Sequence, residues 1–242
     1  MADIKLYQGD CLEVMRDLPD NSVDLIVTSP PYNKGYWSSN RNINNGFRTK
    51  ARRIDYGTFN DVMDPADYNS WQKRVIGECL RLLKPTGSMF YNHIDILKLH
   101  NTIHPLFVYE FPVKQIIVWN RKNTPKLDKS YFFPVTEYVF WLKKTKDARV
   151  KFDRKKAKFT SNIWAISPDT KNDFPAPFPI ELPTNCIEAC TEVGDVVLDP
   201  FMGSGTTGVA SKQLKRNFIG IELDKNFFES AKKRIENAGG LF

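Results

Sequence analysis

Two short segments contain residue types that could carry chemistry. One is Asp199-Pro-Phe-Met-Gly-Ser-Gly-Thr206, which follows an apolar run typical of a strand and precedes a helical pattern. Gly203 and Gly205 allow a tight turn and a close approach of a ligand to the backbone, and the free N–H groups where a helix begins favour an anionic group. Such a turn could serve NAD, a nucleotide, S-adenosylmethionine or a plain strand-to-helix connection.

An acidic side chain near the end of the next predicted strand narrows this choice. Glu222 follows Gly205 by 17 residues, and from there a carboxylate can accept hydrogen bonds from both hydroxyls of a ribose. The lysine of a phosphate-binding P-loop is missing, because Gly205 is followed by Thr-Thr-Gly. The pattern therefore argues against a nucleoside triphosphate.

The second segment is Thr28-Ser-Pro-Pro-Tyr32, at the end of a candidate central strand over Val23–Val27. Two consecutive prolines remove N–H donors, so this turn presents hydroxyl and carbonyl acceptors beside an aromatic ring. An exocyclic amine of a nucleobase is a poor nucleophile because its lone pair is delocalised into the ring. The turn could accept its two N–H bonds, localise that lone pair and stack on the base. The predicted catalytic residues are Ser29, Pro30, Pro31 and Tyr32.

The rest of the sequence predicts the elements that position these turns. Short β-branched runs alternate with helical patterns, which indicates an α/β sheet with helices on its faces. Apolar residues recur at spacings of three and four from Pro65 to Leu83, which predicts a helix there. Asp224 is a good N-cap for a final helix. Further strands are expected at 88–92, 115–119, 136–142, 195–198 and 218–223, a helix at 206–215, and a peripheral segment at 143–175.

The charge is concentrated in three stretches. The chain has a net charge of +7, but residues 34–58 carry six basic groups and one acid, residues 114–130 five and one, and residues 143–158 nine and two. The remainder of the chain is therefore acidic. Aromatic and polar residues lie among the basic groups after the catalytic turn, which suits contacts to phosphates and bases. The distribution predicts a nucleic acid partner.

Composition limits the remaining classes of protein. A chain of 242 residues with 41% hydrophobic residues can bury a full core without disulfides. The four cysteines lack CxxC spacing and the three histidines supply no zinc pattern, so we expect no metal. We interpret Cys186 and Cys190 as core residues of a helix. With no secretory leader or apolar membrane span expected, the sequence predicts a cytoplasmic protein with no membrane association.

The pairing of SPPY with DPFMGSGT resembles the DNA amino-methyltransferases, which use S-adenosylmethionine to methylate cytosine at N4 or adenine at N6. Because the catalytic turn comes first and the glycine-rich turn lies near the C-terminal end, the chain is similar to the beta group, a circular permutation of the usual order. The resemblance implies one Rossmann-like methyltransferase domain over residues 1–242, with a mixed seven-stranded sheet and helices on both faces.

The resemblance also implies how ligands are bound. It implies double-stranded DNA as the partner, a basic loop at 33–58 and a target-recognition segment at 143–172. Phe174 stands where the family often has His, so no ligand role is expected for it. The predicted cofactor-binding residues are Asp10, Cys11, Phe178, Pro179, Asp199, Phe201, Gly203, Ser204, Gly205, Thr206, Glu222 and Leu223. The predicted DNA-binding residues are Trp37, Arg41, Arg48, Lys50, Arg52, Arg53, Lys151, Arg154, Lys155 and Lys156.

The prediction of the target base rests on Ser29. Family members with Asp at this position usually make methyladenine, so SPPY favours cytosine N4, with adenine N6 as the alternative. Two more distant alternatives are a methyltransferase for RNA or protein and a DNA-binding module without catalysis. The order of the motifs argues against the RNA or protein methyltransferase, and the intact motifs argue against the module without catalysis. A restriction endonuclease partner and a homodimer stay open.

Overall fold

The computed structural model describes residues 2–34, 58, 61–97, 102–122, 132–169 and 178–239. Within them, the strands are β1 Ile4–Gln8, β2 Val23–Thr28, β3 Leu83–His93, β4 Ile96–Leu97, β5 Thr102–Ile103, β6 Val113–Asn120, β7 Thr136–Lys143, β8 Ile163–Ala165, β9 Val196–Asp199 and β10 Asn217–Glu222. The α-helices are α1 Cys11–Arg16, α2 Pro65–Leu82, α3 Glu181–Cys190, α4 Thr206–Gln213 and α5 Lys225–Glu236. A 3₁₀ helix spans Leu106–Glu110.

One mixed sheet organises the described residues. Its order is β1-β10-β9-β2-β3-β7-β6-β8. The first five strands are parallel, β7 is antiparallel to both neighbours, and β8 is parallel to β6. The predicted α/β class is confirmed, and the sheet has eight strands rather than the seven expected. Two of its strands were not located in the sequence, β1 and the three-residue edge strand β8, and β8 is too short to give a periodic signal.

Helices cover both faces of the sheet. On one face, α1, α2 and the 3₁₀ helix pack on residues such as Ile26 and Met89. On the other face, α3, α4 and α5 pack on residues such as Leu25 and Val27. Successive residues of β2 therefore enter opposite cores, which explains why this central strand is apolar with little alternation.

Side-chain caps define where three helices begin. Asp10 accepts from the N–H groups of Leu12 and Glu13 at the start of α1, and Asp64 accepts from Ala66 N–H ahead of Pro65. Asp224 caps α5, as predicted. Each aspartate satisfies backbone donors that have no partner inside the helix. Because these caps follow loops near the carboxyl ends of the strands, they help to position the loops.

Two segments differ from expectation. The strand expected at 88–92 extends over Leu83–His93, its pairing with β2 shifts register, and Lys84 Nζ donates to Asp24 Oδ1 at 2.8 Å. The segment after residue 143 is also more than peripheral. Trp164 and Ile166 are almost fully buried and belong to the core beneath α3. No helix of the described residues is long and apolar enough to cross a membrane.

Candidate active site

A pocket opens at the carboxyl edge of the parallel strands. The loops that follow β1, β2, β9 and β10 surround about 850 Å³ of space, part of it open to solvent. Clefts at this edge of an open α/β sheet are the usual ligand sites of such folds. The lining residues are Gly9, Asp10, Cys11, Ser29, Pro30, Pro31, Tyr32, Trp71, Phe178, Pro200, Phe201, Met202, Gly203, Ser204, Thr206, Ile221, Glu222, Leu223 and Phe227.

The glycine-rich turn forms one wall. Gly203 and Gly205 have φ angles of 52° and 77°, in the left-handed region that favours glycine. A Cβ on Gly205 would also lie 3.1 Å from Ile235 Cδ1 and 3.2 Å from Ala231 Cβ. Gly205 therefore serves two purposes, since it reverses the chain before α4 and lets that turn pack closely on α5.

Arg234 of α5 holds this turn from behind. Its Nη1 donates to the Ser204 carbonyl at 2.9 Å, to Ser204 Oγ at 3.1 Å and to Thr206 Oγ1 at 2.9 Å. Burial lowers the pKa of the guanidinium from its ordinary value, but an arginine side chain stays charged at neutral pH. The final helix thus fixes the conformation of the pocket wall.

Asp199, the first residue of the glycine-rich segment, is buried behind the pocket. Thr28 Oγ1 donates to its Oδ1 at 2.7 Å, and Thr207 Oγ1 donates to its Oδ2 at 2.8 Å. Burial raises the pKa of this carboxyl to about 6, an effect that these hydrogen bonds oppose. Asp199 therefore joins β9, β2 and α4, and so ties the two functional turns together.

Glu222 presents its carboxylate from the end of β10. Its Oε2 accepts from Gly203 N–H and its Oε1 from Asp224 N–H, each at 2.9 Å. Burial raises the pKa of Glu222 above its ordinary value. A carboxylate has about four acceptor positions, so two bonds to the backbone leave capacity on the pocket side. This arrangement fits the two hydroxyls of a ribose.

The SPPY turn forms the opposite wall. Tyr32 is buried, and its hydroxyl contacts Ser29 Oγ. Asn92 Nδ2 donates to the Tyr32 hydroxyl at 2.8 Å and to Glu137 Oε2 at 2.9 Å. Glu137 in turn pairs with Arg121 at 3.0 Å. The catalytic turn is thus connected through β3 to the facing ends of β7 and β6.

Tyr68 and His93 hold the second proline. The Tyr68 hydroxyl donates to the Pro31 carbonyl at 2.8 Å and lies 2.9 Å from His93 Nε2. Because the tyrosine proton goes to the carbonyl, His93 Nε2 must be the donor in the second bond. Ile94 N–H donates to His93 Nδ1 at 2.9 Å, so the ring is neutral. Burial lowers the pKa of His93 to about 4, in agreement with that state.

Comparison with known proteins identifies the family. The sequence model of a DNA methylase family matches residues 23–233, a span that contains both functional turns. The chain belongs to this family of DNA amino-methyltransferases.

Individual relatives of this DNA amino-methyltransferase support the same family assignment. The type II methyltransferase M.BglII of Bacillus subtilis is 30% identical over 263 aligned residues, which cover 94% of this chain and 67% of that protein. The structure of M1.HpyAVI in complex with SAM has a TM-score of 0.67 at 28% identity, covering 96% of this chain and 98% of that one. The PvuII DNA methyltransferase, which is cytosine-N4-specific, has a TM-score of 0.74 at 20% identity, with 100% and 95% coverage. The last likeness shows a shared fold, and the predicted methyltransferase fold is confirmed.

Most predicted residues of the methyltransferase site meet in the pocket. All four residues of the catalytic turn line it, and so do nine of the twelve predicted cofactor-binding residues. The exceptions are Pro179, Asp199 and Gly205, which do not line the pocket. Asp199 bonds to Thr28 and Thr207 inside the sheet, and Gly205 packs against α5. Both residues therefore help to position the turn, and cofactor binding by them stays a prediction.

Six other lining residues were not among the predicted site residues. Trp71 belongs to α2 and Phe227 to α5, and each reaches the pocket from its helix. Gly9, Pro200, Met202 and Ile221 carry no chemical signal of their own. Apolar residues that line a site have the same sequence pattern as core residues, so only the fold could separate them.

The predicted DNA contacts fall into two groups. Trp37, Arg41, Arg48, Lys50, Arg52 and Arg53 lie outside the described residues. Lys151, Arg154, Lys155 and Lys156 are exposed, but they lie at the amino edge of the sheet, opposite the pocket. There Lys151 N–H donates to the Thr86 carbonyl before the paired part of β3. Lys151 pairs with Asp195 at 2.7 Å and Lys156 with Glu192 at 2.5 Å. The DNA contacts predicted for these four residues stay a prediction, and their place on the sheet is away from the pocket.

Proposed function

We propose that this protein transfers a methyl group from S-adenosylmethionine to the exocyclic amine of a base flipped out of double-stranded DNA, with cytosine N4 as the target. The observation that carries the proposal is that the SPPY turn and the glycine-rich turn line one pocket. The turn whose acceptors suit an amine and the strand end whose carboxylate suits a ribose thus lie on facing walls of the pocket.

The donor set of this pocket fits S-adenosylmethionine. The cofactor supplies an electrophilic methyl group on its sulfonium sulfur. Glu222 would hold the ribose hydroxyls, and Phe201 and Phe227 would offer apolar surface to the adenine. The helix N-terminus at Thr206, with Ser204 beside it, suits the carboxylate of the methionine part.

The catalytic turn would orient and activate the amine. Ser29 Oγ and the Pro30 carbonyl accept its two N–H bonds, so the nitrogen lone pair turns toward the methyl group. Within the described part of the chain, the Pro31 carbonyl is occupied by Tyr68, whereas no described donor bonds to the carbonyl of Pro30. As the new C–N bond forms and the methyl–sulfur bond breaks, one amine proton leaves through an acceptor of the turn to solvent.

The choice of cytosine rests on the neutral hydroxyl of Ser29. A hydroxyl is a weaker acceptor than the carboxylate that many adenine-N6 enzymes carry at this position. Adenine N6 is the alternative. A restriction endonuclease partner, a homodimer and a cytoplasmic location stay predictions, as does the 143–172 recognition segment.

The variant Ser29→Ala tests the catalytic assignment. We expect a loss of roughly tenfold or more in the methyl-transfer rate, because one activating acceptor is removed. Affinity for S-adenosylmethionine should stay unchanged. The rate is measured by transfer of labelled methyl groups to DNA and the affinity by calorimetry, with the exposed Ser70→Ala as the control. A wild-type rate in Ser29→Ala would refute the role given to this hydroxyl.

A further inference from the structure

Two adjacent phenylalanines are exposed beside the active site. Phe132 is 99% and Phe133 56% exposed. Single exposed apolar residues are common on protein surfaces, but two adjacent large aromatic side chains in solvent indicate a surface that binds something. The pair lies outside the pocket described above, and the sequence analysis assigned it no function.

The pairing of the strands places these rings at the edge that contains the pocket. β7 begins at Thr136 and runs antiparallel to β3, with Tyr138 opposite His93 at the end of β3. The residues before Thr136 therefore extend past the carboxyl end of β3. Glu137, four residues after Phe133, is joined through Asn92 to the hydroxyl of Tyr32. A short chain of hydrogen bonds thus connects Glu137, close to the aromatic pair in the chain, to the catalytic turn.

The charge at this edge suits a polyanion. Arg121 N–H donates to the Val135 carbonyl at 2.8 Å, which places the end of β6 beside the aromatic pair, and the exposed Lys122 follows it. Lys34 lies 4.9 Å from the centre of the Tyr32 ring. Basic residues at the same edge of the sheet as exposed aromatic rings fit a partner with both phosphates and planar apolar faces, which is the chemistry of DNA.

We propose that Phe132 and Phe133 enter the DNA duplex beside the target base pair and fill the space that the flipped base leaves. The proposal rests on the proposed function, because it needs a base in the pocket. Apolar side chains can separate neighbouring base pairs, and an aromatic ring that stacks on the exposed bases would favour the flipped state. Stacking of this kind needs no particular sequence.

The double variant Phe132→Ala with Phe133→Ala tests the proposal on two matched duplexes. In one duplex the target base is paired, and in the other it lies opposite an abasic site and needs no unpairing. We expect kcat/KM to fall by about tenfold or more on the paired duplex and by less than about threefold on the abasic one. Replacing both residues with Trp should retain activity on the paired duplex, since a stacking surface remains.

The controls separate this proposal from the proposed function. Val193→Ala removes another exposed apolar side chain, in the loop before β9 at the opposite edge of the sheet, and it should leave the ratio of the two rates unchanged. Cofactor affinity and circular dichroism should match the wild type in the double Ala variant. Equal rates of wild type and double variant on the paired duplex, or an equal loss on both duplexes, would overturn the insertion of these rings. Absence of methyl transfer by the wild-type protein would instead refute the proposed function.

Discussion

At the scale of single residues, the site depends on side chains that hold other groups in place. Asp199 and Tyr68 bond to the two functional turns rather than line the space between them. The sequence indicated Asp199 as a cofactor ligand because it opens the glycine-rich motif. Which face an aspartate takes at the end of a strand depends on its neighbours in the sheet, and Thr28 is 171 positions away. That information is absent from the local sequence.

Glu222 leads to the first prediction at this scale. The variant Glu222→Gln should weaken binding of S-adenosylmethionine by about tenfold or more, because hydrogen bonds to a charged acceptor contribute roughly 1.5 to 3 kcal/mol each. Since burial raises the pKa of Glu222, wild-type affinity should fall as the pH drops toward that raised pKa, and the Gln variant should lack this dependence. Calorimetry at several pH values measures both effects, with the exposed Glu229→Gln as the control. Wild-type affinity in Glu222→Gln would place the ribose elsewhere.

His93 leads to a prediction about acid stability. Its pKa is lowered to about 4 in the folded protein, below the ordinary value near 6.5 of the unfolded chain. Between these values the unfolded state binds an extra proton, so stability is complete above about pH 6.5 and decreases as the pH falls toward 4. The difference between these two pKa values corresponds to at most about 3.4 kcal/mol of unfolding free energy. His93→Gln should lose less stability than the wild type between pH 7 and pH 5 in urea denaturation, and identical losses would contradict the buried neutral state.

At the scale of elements, the sequence indicated most strands and helices correctly because their patterns are local. The helix at Pro65–Leu82 and the capped helix after Asp224 were predicted nearly to the residue. The segment after residue 143 was not, because its buried residues Trp164 and Ile166 follow a long stretch of mostly polar and basic residues. Its burial comes from packing beneath α3, which only the tertiary structure shows.

The position of that segment changes the prediction about charge. Replacing Lys155 and Lys156 with Gln should leave DNA affinity and its dependence on salt nearly unchanged, because both residues lie at the edge opposite the pocket. Arg52 and Arg53 are predicted to contact DNA because they belong to the basic stretch after the catalytic turn. Replacing them should lower the magnitude of the slope of log K against log salt by about 0.9 for each phosphate that the variant no longer neutralises. Binding titrations between 50 and 300 mM salt, roughly the range in which such slopes are measured, compare the two pairs. A larger effect of replacing Lys155 and Lys156 than of replacing Arg52 and Arg53 would instead assign the DNA contact to the two lysines.

At the scale of the whole molecule, the fold brings together two turns that lie far apart in the chain. Thr28 ends β2 and Asp199 ends β9, and the two strands are neighbours and parallel in the sheet. Family resemblance predicted this arrangement from the motifs. It could not predict the aromatic pair at Phe132 and Phe133, because exposure of a side chain depends on the complete surface.

The central claim is that this pocket methylates an exocyclic amine of DNA, and the nucleosides of methylated DNA test it most directly. The protein is expressed in a host without DNA methylation, and the digested DNA is analysed by mass spectrometry, with Ser29→Ala as the parallel sample. We predict N4-methylcytosine with the wild-type protein and a strong reduction with the variant. N6-methyladenine in its place would correct the target base, and DNA with neither modified nucleoside would contradict the account.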